Sequence, residues 1–536
     1  MEAGMQKLPI GIQTFEKIRL NNYVYVDKTR KILELTDKGD CYFISRPRRF
    51  GKSLTLSTLE AMFKGQSELF RGLYAEDWVR GQAKRPNPVI RLDMSGLAEY
   101  GNRDELNNSI INYLERYYVK KYKLNLRLDK KSGDLLLDVI GVLYERFGPV
   151  VVLIDEYDKP ITDNIDNLEK AEEMRGALRS FYLVLKGCGQ YLRFVMVTGV
   201  SKFSRAGVFS GLNNLEEISM DKEYGDIVGY TQQELEDNFG EWIDIAGDKL
   251  SMDREELLAK IRQYYDGFSF DGTTSVYNPF SILNFFKKSK FRNYWYVSGS
   301  PSFLLRYLQG HRLQNPDKYE EITVPENFSD KREIESASVE SFLFQAGYLT
   351  IKKWVRNEIT LGYPNEEVRS SLADMYLDDV YRVEGYLTLG NDIWRALEED
   401  DFEGLVKSFN LAISGVPYED FGDVGNSDDP AGECPGRRRE YWYRTMFVML
   451  LRGAGVIYYA EVHTCKGRPD VVVEFKDKVT VIEFKLARDS SEVDLKRREG
   501  LGQIKSRDYV SAFEGSGRKV TSLVLVADDS KRQIAL

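Results

Sequence analysis

Histidine and cysteine are scarce in this chain of 536 residues, which has two histidines and four cysteines. The cysteines stand far apart, and no two of them form a CxxC pair: Cys41, Cys188, Cys434 and Cys465. These residues provide no zinc-ligand spacing, and their scatter favours a reduced, cytoplasmic protein over a disulfide-linked one. We therefore expect neither a zinc centre nor a disulfide framework.

Long apolar runs and a positive net charge are also lacking. No stretch approaches the roughly 18 apolar residues of a membrane span, and the N-terminus has no charged segment followed by an apolar signal core. The formal net charge is -9, which argues against a surface that coats nucleic acid or anionic membrane as a whole. We expect a soluble protein with no membrane partner, in which any polyanion meets a local basic patch.

The chain is long enough for several domains. A single hydrophobic core rarely serves 536 residues, so two to four domains are expected, and 42% apolar residues supply the cores. Residues 1–225 alternate short apolar runs, at 41–45, 89–93, 150–154 and 192–198, with helical patterns. This rhythm is typical of an α/β domain with a buried parallel sheet.

Two further regions follow along the sequence. Residues 226–370 form a predicted helical lid or middle region, which opens with Thr231 as an N-cap and Glu234 three residues on, as in a capping box. Residues 371–536 return to an α/β pattern after a helical lead-in, with a helix from Glu440, a strand near 457–461, a hairpin over 470–486 and a last strand at 521–527. We find no internal repeat, coiled-coil heptads or low-complexity tract.

A phosphate-binding pattern stands near the start of the chain, where residues 45–53 read Ser-Arg-Pro-Arg-Arg-Phe-Gly-Lys-Ser. In a phosphate loop, backbone N–H groups at a helix N-terminus point at the anion, a lysine reaches the terminal phosphates, and a hydroxyl holds Mg²⁺. Ser53 is the candidate metal ligand. The residues assigned to a nucleotide site here are Arg46, Pro47, Arg48, Arg49, Phe50, Gly51, Lys52 and Ser53.

This pattern departs from the general GxxxxGK[ST] motif, because Arg46 stands where the first glycine is expected. A Gly-Lys-Ser triplet by itself is common by chance, and an ordinary turn before a helix is the alternative interpretation. The apolar run before the loop and the helical pattern after it match the strand-loop-helix context that the motif requires.

A second element of a nucleotide site ends the apolar run 150–154. Asp155 is placed to hold Mg²⁺ through water, and Glu156 to polarise an attacking water. The strand at 192–198 ends at Thr198, a candidate for contact with the γ-phosphate, and Arg205 is a weaker candidate. Buried strands often end in acidic residues at the surface, which is the alternative explanation.

Together these segments resemble the bacterial AAA-ATPase-like family. The likeness is carried by Leu-Pro-Ile-Gly at 8–11, Tyr-Val-Asp-Lys-Thr at 25–29, the Arg-Pro-Arg-Arg-Phe-Gly-Lys-Ser loop and Leu-Ile-Asp-Glu-Tyr-Asp at 153–158, and it extends over about residues 6–300. In that family the loop commonly begins with Arg-Pro, so Arg46 departs from the general motif but not from the relatives. The resemblance implies a P-loop ATPase domain that binds ATP.

A second candidate site lies near the carboxyl end. Asp470 and Glu483 lie symmetrically about Lys476-Asp477, so a tight hairpin places them on neighbouring strands as near-opposite partners. The strand period of two then puts Lys485 on the same face as Glu483. Two carboxylates and a lysine that converge suit a divalent cation held against a phosphodiester. An exposed cross-strand ion pair on an ordinary hairpin is the alternative.

This arrangement resembles the PD-(D/E)xK nuclease superfamily over about residues 436–530, with Gly-Arg-Pro-Asp at 467–470 as its lead. The resemblance implies a restriction-endonuclease-like α/β domain in which Asp470 and Glu483 bind Mg²⁺, or Mn²⁺, and Lys485 positions water or stabilises charge. Glu440 matches the helical acid of that superfamily. Gln503 in the following helix and Glu461 are weaker assignments.

The leading hypothesis is an ATPase coupled to a metal-dependent nuclease that acts on DNA, with RNA as the lesser candidate. A nucleotide-switched module that binds nucleic acid or protein without catalysis is the alternative, and a third possibility is that ATP is bound but scarcely hydrolysed. The basic runs 437–439 and 496–498 are candidate contacts for a nucleic-acid backbone or merely solvated charges. A homo-oligomer with an arginine supplied in trans is possible, and Arg179, Arg193 and Arg205 are equal candidates.

Overall fold

A computed structural model describes most of the chain. The described residues are 5–98, 100–165, 167–202, 208–209, 214–299, 304, 316–329, 338–416, 435–456, 458–460, 468–514 and 517–536. Within them the chain forms two compact units, one made of residues 1–307 and 321–368 and the other of residues 308–320 and 369–536.

The first unit is built on a five-stranded sheet in the order β2-β3-β4-β1-β5, and every pair of neighbours in it is parallel. The four longer strands confirm the runs predicted from the sequence, and β3 is buried along its whole length because helices cover both faces of a parallel sheet. The strands are β1 (Cys41–Ser45), β2 (Val89–Asp93), β3 (Val150–Asp155), β4 (Leu192–Gly199) and β5 (Glu216–Glu217).

Helices connect these strands and precede them. They are α1 (Phe15–Leu20), α2 (Thr29–Lys38), α3 (Lys52–Phe63), α4 (Glu76–Gln82), α5 (Arg103–Leu114), α6 (Ser132–Phe147), α7 (Lys159–Thr162), α8 (Leu168–Tyr182) and α9 (Val184–Gly187). The carboxyl ends of β1 and β3 lie at the same edge of the sheet, where ligands of open α/β sheets bind.

Residues 226–307 and 321–368 of the predicted middle region belong to the same unit. Their helices are α10 (Gln232–Leu250), α11 (Arg254–Tyr265), α12 (Pro279–Lys288), α13 (Tyr294–Gly299) and α14 (Val339–Ala346). Thr231 and Glu234 form the predicted capping box at the start of α10, with both reciprocal hydrogen bonds present.

The same region also contains a three-stranded antiparallel sheet that the sequence patterns did not predict. Its order is β6-β8-β7, with β6 (Ile322–Pro325), β7 (Thr350–Val355) and β8 (Glu358–Gly362). Lys352, Lys353 and Arg356 interrupt the apolar alternation here, which weakens the strand signal. The middle region is therefore helical with an added small sheet.

A short N-terminal segment joins the core of the helical region. Val24 and Val26 are buried among apolar side chains of α10, α11 and α12, including Leu235, Phe239 and Ile282. This packing holds residues 24–26 against the helical region, and α2 begins shortly afterwards, at Thr29.

The second unit contains a five-stranded mixed sheet in the order β13-β12-β11-β10-β9. Its strands are β9 (Tyr458–Ala460), β10 (Val471–Glu474), β11 (Lys478–Ala487), β12 (Lys519–Asp528) and β13 (Gln533–Ala535). Its helices are α16 (Tyr386–Glu399), α17 (Phe402–Ser414), α18 (Pro435–Gly453), α19 (Val493–Ser506) and α20 (Ser511–Glu514), and α15 (Glu366–Met375) runs across the boundary between the two units.

The central strand β11 pairs parallel with β12 over the full length of β11, and it pairs antiparallel with the shorter strand β10. One face of β11 packs on α19, since Val481 and Ala487 share a core with Ile504. The other face turns Phe484 towards Phe447 of α18, with ring centroids 5.5 Å apart. Of the helices in the described part of the chain, none is long and apolar enough to cross a membrane.

Candidate functional site

The phosphate loop joins β1 to α3 at residues 46–51. Gly51 has φ +105° directly before α3, and Arg49 also lies in the left-handed region, with φ +69°. Space lies over Gly51, because a Cβ there would meet no atom within 4 Å. An open cradle at the N-terminus of a helix is the geometry that suits a phosphate group.

A cavity of about 460 Å³ opens beside this loop. Cavities of this size hold cofactor-sized ligands. The loop contributes residues 48–53, β3 contributes Glu156 at its end, and apolar side chains from other segments complete the wall, among them Pro9, Ile12, Val26, Tyr230, Phe280 and Leu283. The lining therefore combines the phosphate loop with apolar side chains.

Lys52 is buried at the start of α3. Its ammonium donates hydrogen bonds to the backbone carbonyl oxygens of Arg46, at 2.7 Å, and Pro47, at 2.9 Å. Burial lowers the pKa of Lys52, and the carboxylates of Glu156 and Asp155 oppose that effect. Among the described residues no side-chain carboxylate accepts a hydrogen bond from Lys52, and carbonyl oxygens are partners that phosphate oxygens can replace.

Glu156 follows directly after β3, with φ +48°. A glutamate in the left-handed region is strained, at a cost of about 1 kcal/mol or more. Burial raises the pKa of Glu156 although the Lys52 ammonium lowers it. A carboxylate with a raised pKa that lines the cavity is suited to accept a proton from an attacking water.

Asp155 is buried at the end of β3 and is fixed from two sides. Thr198 Oγ1 donates to Asp155 Oδ1 at 2.7 Å, and Arg91 Nη2 lies 3.8 Å from Oδ2. Arg91 Nη2 also donates to the carbonyl oxygen of Ser53 at 3.1 Å. Arg91 thus bridges the first turn of α3 and the acidic end of β3, a role that sequence reasoning missed although a lone charge within the run Val-Ile-Arg-Leu-Asp was its signal.

Not every residue assigned to the nucleotide site reaches the cavity. Residues 48–53 and Glu156 line it, whereas Arg46, Pro47, Asp155 and Thr198 are outside the set of lining residues. The Arg46 guanidinium is buried, donates to the carbonyl oxygens of Ser45, Ser219 and Tyr224, and stacks 4.2 Å from the Phe270 ring centroid. Burial lowers the pKa of Arg46 to about 9. The start of the loop is therefore held by the buried Arg46 side chain and does not line the cavity.

In the second unit, the hairpin brings Asp470 and Glu483 together. β10 and β11 pair Val471 with Ile482, so the next position along the hairpin sets Asp470 opposite Glu483. Lys485 lies two residues further along β11, so its side chain is on the same face of the sheet as that of Glu483. Helix α19 covers this face. Asp470 and Glu483 face each other because the two strands are joined by a tight turn at residues 475–477.

Glu483 is the most deeply buried of these acids. Its Oε1 accepts hydrogen bonds from Lys485 Nζ, at 2.8 Å, and from Gln503 Nε2, while its buried Oε2 has no hydrogen-bond partner among the described residues. Burial raises the pKa of Glu483 to about 7, and the nearby Asp470 carboxylate adds to the rise. Burial would lower the pKa of Lys485, but its hydrogen bond to Glu483 and the surrounding carboxylates raise it.

Asp470 has both oxygens in contact with donors. Arg444 Nη1 donates to Oδ1 at 3.0 Å, and the Phe484 backbone N–H donates to Oδ2 at 2.8 Å. Arg444 stands four residues after Glu440 on α18, hence on the same helix face. Sequence reasoning missed Arg444; the i, i+4 spacing from a candidate acid was the available signal.

Glu440 belongs to the same cluster. Burial raises its pKa, and the Lys485 ammonium and a hydrogen bond from the Leu486 backbone lower it, while Asp470 raises it. The structure thus brings together the five residues assigned to the nuclease-like site, Glu440, Asp470, Glu483, Lys485 and Gln503, and it adds Arg444, which sequence reasoning missed.

The donor chemistry of this cluster fits a divalent cation. No three acidic, histidine or cysteine side chains of the described residues form a ready metal-binding group, but Mg²⁺ is usually held by one or two protein carboxylates and water. The unpartnered Oε2 of Glu483 beside Asp470 supplies such a pair. The residues that would hold a cation are therefore Asp470 and Glu483.

Some residues singled out in the sequence lie outside the described part of the chain: Arg205, Glu461 and Gly467, and the side chains of 437–438. The other basic run lies on α19, where Lys496 pairs with Glu499 at 2.7 Å and Arg497 donates to the Leu536 carbonyl at 3.2 Å.

Comparisons with known proteins agree with this division of the chain. A family model described as a predicted AAA-ATPase matches residues 9–209, and one described as the PD-(D/E)XK nuclease superfamily matches residues 438–535. The first match includes the phosphate loop and the end of β3, and the second includes the carboxylate cluster. The fold and its sites define a P-loop ATPase-like protein with an appended nuclease-superfamily domain.

A relative matches the chain over nearly its full length. It is an uncharacterized protein in the vnfD 5′ region of Azotobacter chroococcum mcd 1, 35% identical over 529 residues that cover 96% of this chain and 95% of the relative. The chain belongs to the predicted AAA-ATPase family and ends in a PD-(D/E)XK nuclease superfamily domain.

Two solved structures resemble parts of the chain. A Walker-type ATPase of Pyrococcus abyssi has a TM-score of 0.36 at 13% identity, over 64% of this chain and 94% of that one. The ORC1 protein of Aeropyrum pernix, solved in complex with DNA, has a TM-score of 0.26 at 9% identity, over 65% of this chain and 92% of that one.

Proposed function

We propose that this protein binds and hydrolyses ATP in its first unit and cleaves phosphodiester bonds in its second, with a divalent cation, Mg²⁺ or Mn²⁺, and with DNA preferred over RNA. The observation that carries the nuclease proposal is the cluster at the end of β11, where Glu483 presents an unpartnered buried oxygen next to Asp470 and Lys485. The nucleotide proposal is supported by the cavity that Lys52, Ser53 and Glu156 share.

A cation bound by Asp470 and Glu483 would polarise a phosphate oxygen and lower the pKa of a bound water. The protein's own groups prepare this chemistry. Lys485 donates to both Glu483 Oε1, at 2.8 Å, and the Phe484 carbonyl, at 3.0 Å, so its ammonium is held where it can offset negative charge on the phosphate. Gln503 fixes the orientation of Glu483 from α19.

In the first unit, the loop N–H groups and Lys52 would bind the phosphates, and Ser53 with Asp155 would hold the nucleotide's cation. Glu156 is the group placed to take a proton from water. Its raised pKa brings proton transfer closer to neutral pH.

The nuclease is tested with purified full-length protein, supercoiled plasmid and Mn²⁺ or Mg²⁺. Asp470→Asn and Lys485→Met should each reduce cleavage by about 100-fold or more, because each removes a group at the reacting centre. Glu474→Gln is the matched control: it lies on the same hairpin, pairs with Arg518 at 2.6 Å, and should leave cleavage unchanged. Equal cleavage by parent and both site variants would assign the activity to a contaminant.

The ATPase is tested with Glu156→Gln and Lys52→Ala. Glu156→Gln should bind ATP but turn it over about 100-fold more slowly, whereas Lys52→Ala should lose most of the binding. Cleavage measured with ATP, with ADP and without nucleotide then shows whether the sites are coupled. Slow turnover already in the parent would indicate binding without significant hydrolysis.

A non-catalytic, nucleotide-switched binding protein is the second candidate. It is favoured by one specific observation: Arg444 and the Phe484 N–H occupy both oxygens of Asp470. Under this alternative the parent binds DNA and does not cut it. Calorimetric titration with Mn²⁺, in the parent and in Glu483→Gln, separates a site that binds metal from one that does not.

A further inference from the structure

Five successive residues of the phosphate loop, at positions 46–50, contact the middle region of the chain. The residues contacted there lie within 229–295 and at Gly347, and all of them belong to the same compact unit as the loop. The partners differ along the loop, except that Phe270 contacts both Arg46 and Phe50.

The first contacts are made by Arg46 and Pro47. The Arg46 guanidinium stacks on Phe270, 4.2 Å from the ring centroid, and its Nε has no hydrogen-bond partner among the described residues. Pro47 packs directly on the backbone of Gly347, where a Cβ would lie 2.8 Å from the proline ring atoms Cβ and Cγ. Gly347 has φ +93°, so glycine is suited to this close approach.

The next contact is a hydrogen bond. Trp295 Nε1 donates to the Arg48 backbone carbonyl at 3.3 Å. The indole is fully buried, and its ring packs 5.1 Å from Tyr348. Its backbone N–H donates to Glu367 Oε1 at 2.8 Å, so both ends of the residue are held. A rigid donor therefore fixes the loop carbonyl.

The last two contacts adjoin the glycine of the loop. The Arg49 guanidinium lies 5.2 Å from the Phe280 ring centroid. The Phe50 ring packs edge-on against Phe268, at 4.9 Å, and the Phe50 carbonyl accepts a hydrogen bond from the Gly229 N–H at 3.2 Å. The loop is thus held on both sides of its strained residue Arg49.

We propose that the residues contacted by the loop, within 229–295 and at Gly347, position the phosphate loop for nucleotide, with Trp295 as the central positioning residue. This inference rests on the proposed binding of nucleotide to the first unit. Residues 46–50 are used for docking through side chains and through the carbonyl oxygens of Arg48 and Phe50, and residues 48–53 also line the cavity. A loop without its first glycine keeps its shape because the middle region supplies the restraint.

The test is ADP binding to the full-length protein in the presence of Mg²⁺, measured by calorimetry. Trp295→Phe removes the indole donor and keeps an aromatic ring against Tyr348. We expect the dissociation constant for ADP to rise about five- to tenfold, as for the loss of one hydrogen bond that orders a binding loop. Trp394→Phe is the matched control, because Trp394 is 38% exposed on α16. This variant should bind ADP as the parent does.

Phe270→Leu provides a second variant with similar apolar volume. It removes the ring beneath Arg46 and should weaken ADP binding in the same direction. Parent-like affinity in both Trp295→Phe and Phe270→Leu would overturn the inference while leaving the proposed function intact. A parent that binds no nucleotide would overturn the proposed function, and the inference with it.

Fluorescence distinguishes positioning from a purely structural role. The chain has six tryptophans, and the one that contacts the loop should respond to nucleotide. ADP should change the emission of the parent and of Trp394→Phe, and this change should be lost in Trp295→Phe. An unaltered ADP response in Trp295→Phe would contradict a link between this indole and the loop.

Discussion

At the scale of single residues, the two sites depend on charges that the protein holds in unfavourable surroundings. Glu483 is 2% exposed, and one of its oxygens has no hydrogen-bond partner within the part of the chain that the structure describes. Glu156 has a strained backbone. Strain and unpaired buried charge cost stability, and they concentrate at functional sites because ligands relieve them. Asp528 is a useful contrast. It is also buried, but hydrogen bonds from Ser490 and Ser530 lower its pKa, as expected of a structural carboxylate.

Stability of the metal-free protein should depend on Glu483. Between pH 4.5, the ordinary pKa, and about 7, the folded carboxyl keeps a proton that the unfolded chain has released. Stability therefore falls as pH rises through this window. Glu483→Gln should remove that fall and stabilise the metal-free protein at pH 8 by up to about 3 kcal/mol. Thermal unfolding at pH 5 and pH 8 measures this change in stability, with Glu474→Gln as the control.

Bound Mn²⁺ should oppose this fall of stability with rising pH. A cation at Asp470 and Glu483 favours the ionised carboxyl, so Mn²⁺ should stabilise the parent more at pH 8 than at pH 6. A parent whose stability is insensitive to Mn²⁺ at both pH values would contradict a cation site at Glu483.

At the scale of elements, the nuclease-like cluster depends on the seating of α19 on the sheet. Gly500 faces Val524 of β12, and a Cβ there would lie 2.6 Å from Val524 Cγ1. Gln503 stands three residues further along the same helix and contacts Glu483. The helix approaches the strand closely because this position carries no side chain.

Gly500→Ala should displace α19 from β12. The cost of overpacking, about 1–3 kcal/mol, exceeds the gain in helix propensity of about 1 kcal/mol, so we expect net destabilisation and weaker Mn²⁺ binding. Gly502→Ala is the matched control on the same helix, where a Cβ would meet no atom within 4 Å, and it should stabilise by about 0.5–1 kcal/mol. Urea unfolding compares the two variants; equal stabilisation by both would show that the helix is loosely seated.

At the scale of the whole molecule, the two compact units have separate cores. The helical core of the first unit gathers Leu235, Ile261 and Phe285, and a core of the second gathers Val481, Ile504 and Val526. Each unit also carries its own candidate ligand site. Ligands that bind one folded unit stabilise that unit by mass action.

Calorimetry should therefore show two unfolding transitions that respond to different ligands. ADP at 100 times its dissociation constant stabilises its unit by about 2.7 kcal/mol, a rise of roughly 4 °C in one transition. Mn²⁺ should raise the other. Lys52→Ala should abolish only the first response and Glu483→Gln only the second. One transition that both ligands raise equally would contradict independent units.

Much of the fold was accessible from the sequence because its signals are local. The buried strands at 41–45 and 150–155 are continuous apolar runs, the capping box of Thr231 and Glu234 lies within one helical turn, and the hairpin register that sets Asp470 opposite Glu483 follows from counting residues about the turn. The two domain families were recognised from motifs of the same kind, and the family comparisons confirm them.

What sequence alone determined, then, is the chemistry available: a lysine and hydroxyl after a strand, acids at strand ends, and two acids with a lysine on a hairpin. Tertiary structure decided which groups meet. Arg91 reaches Ser53 and Asp155 from a neighbouring strand, Arg444 reaches Asp470 from a helix, and Trp295 holds a loop nearly 250 positions away in sequence (|i−j| = 247). Such contacts depend on packing between distant segments, and periodicity within a segment carries no information about its distant partners.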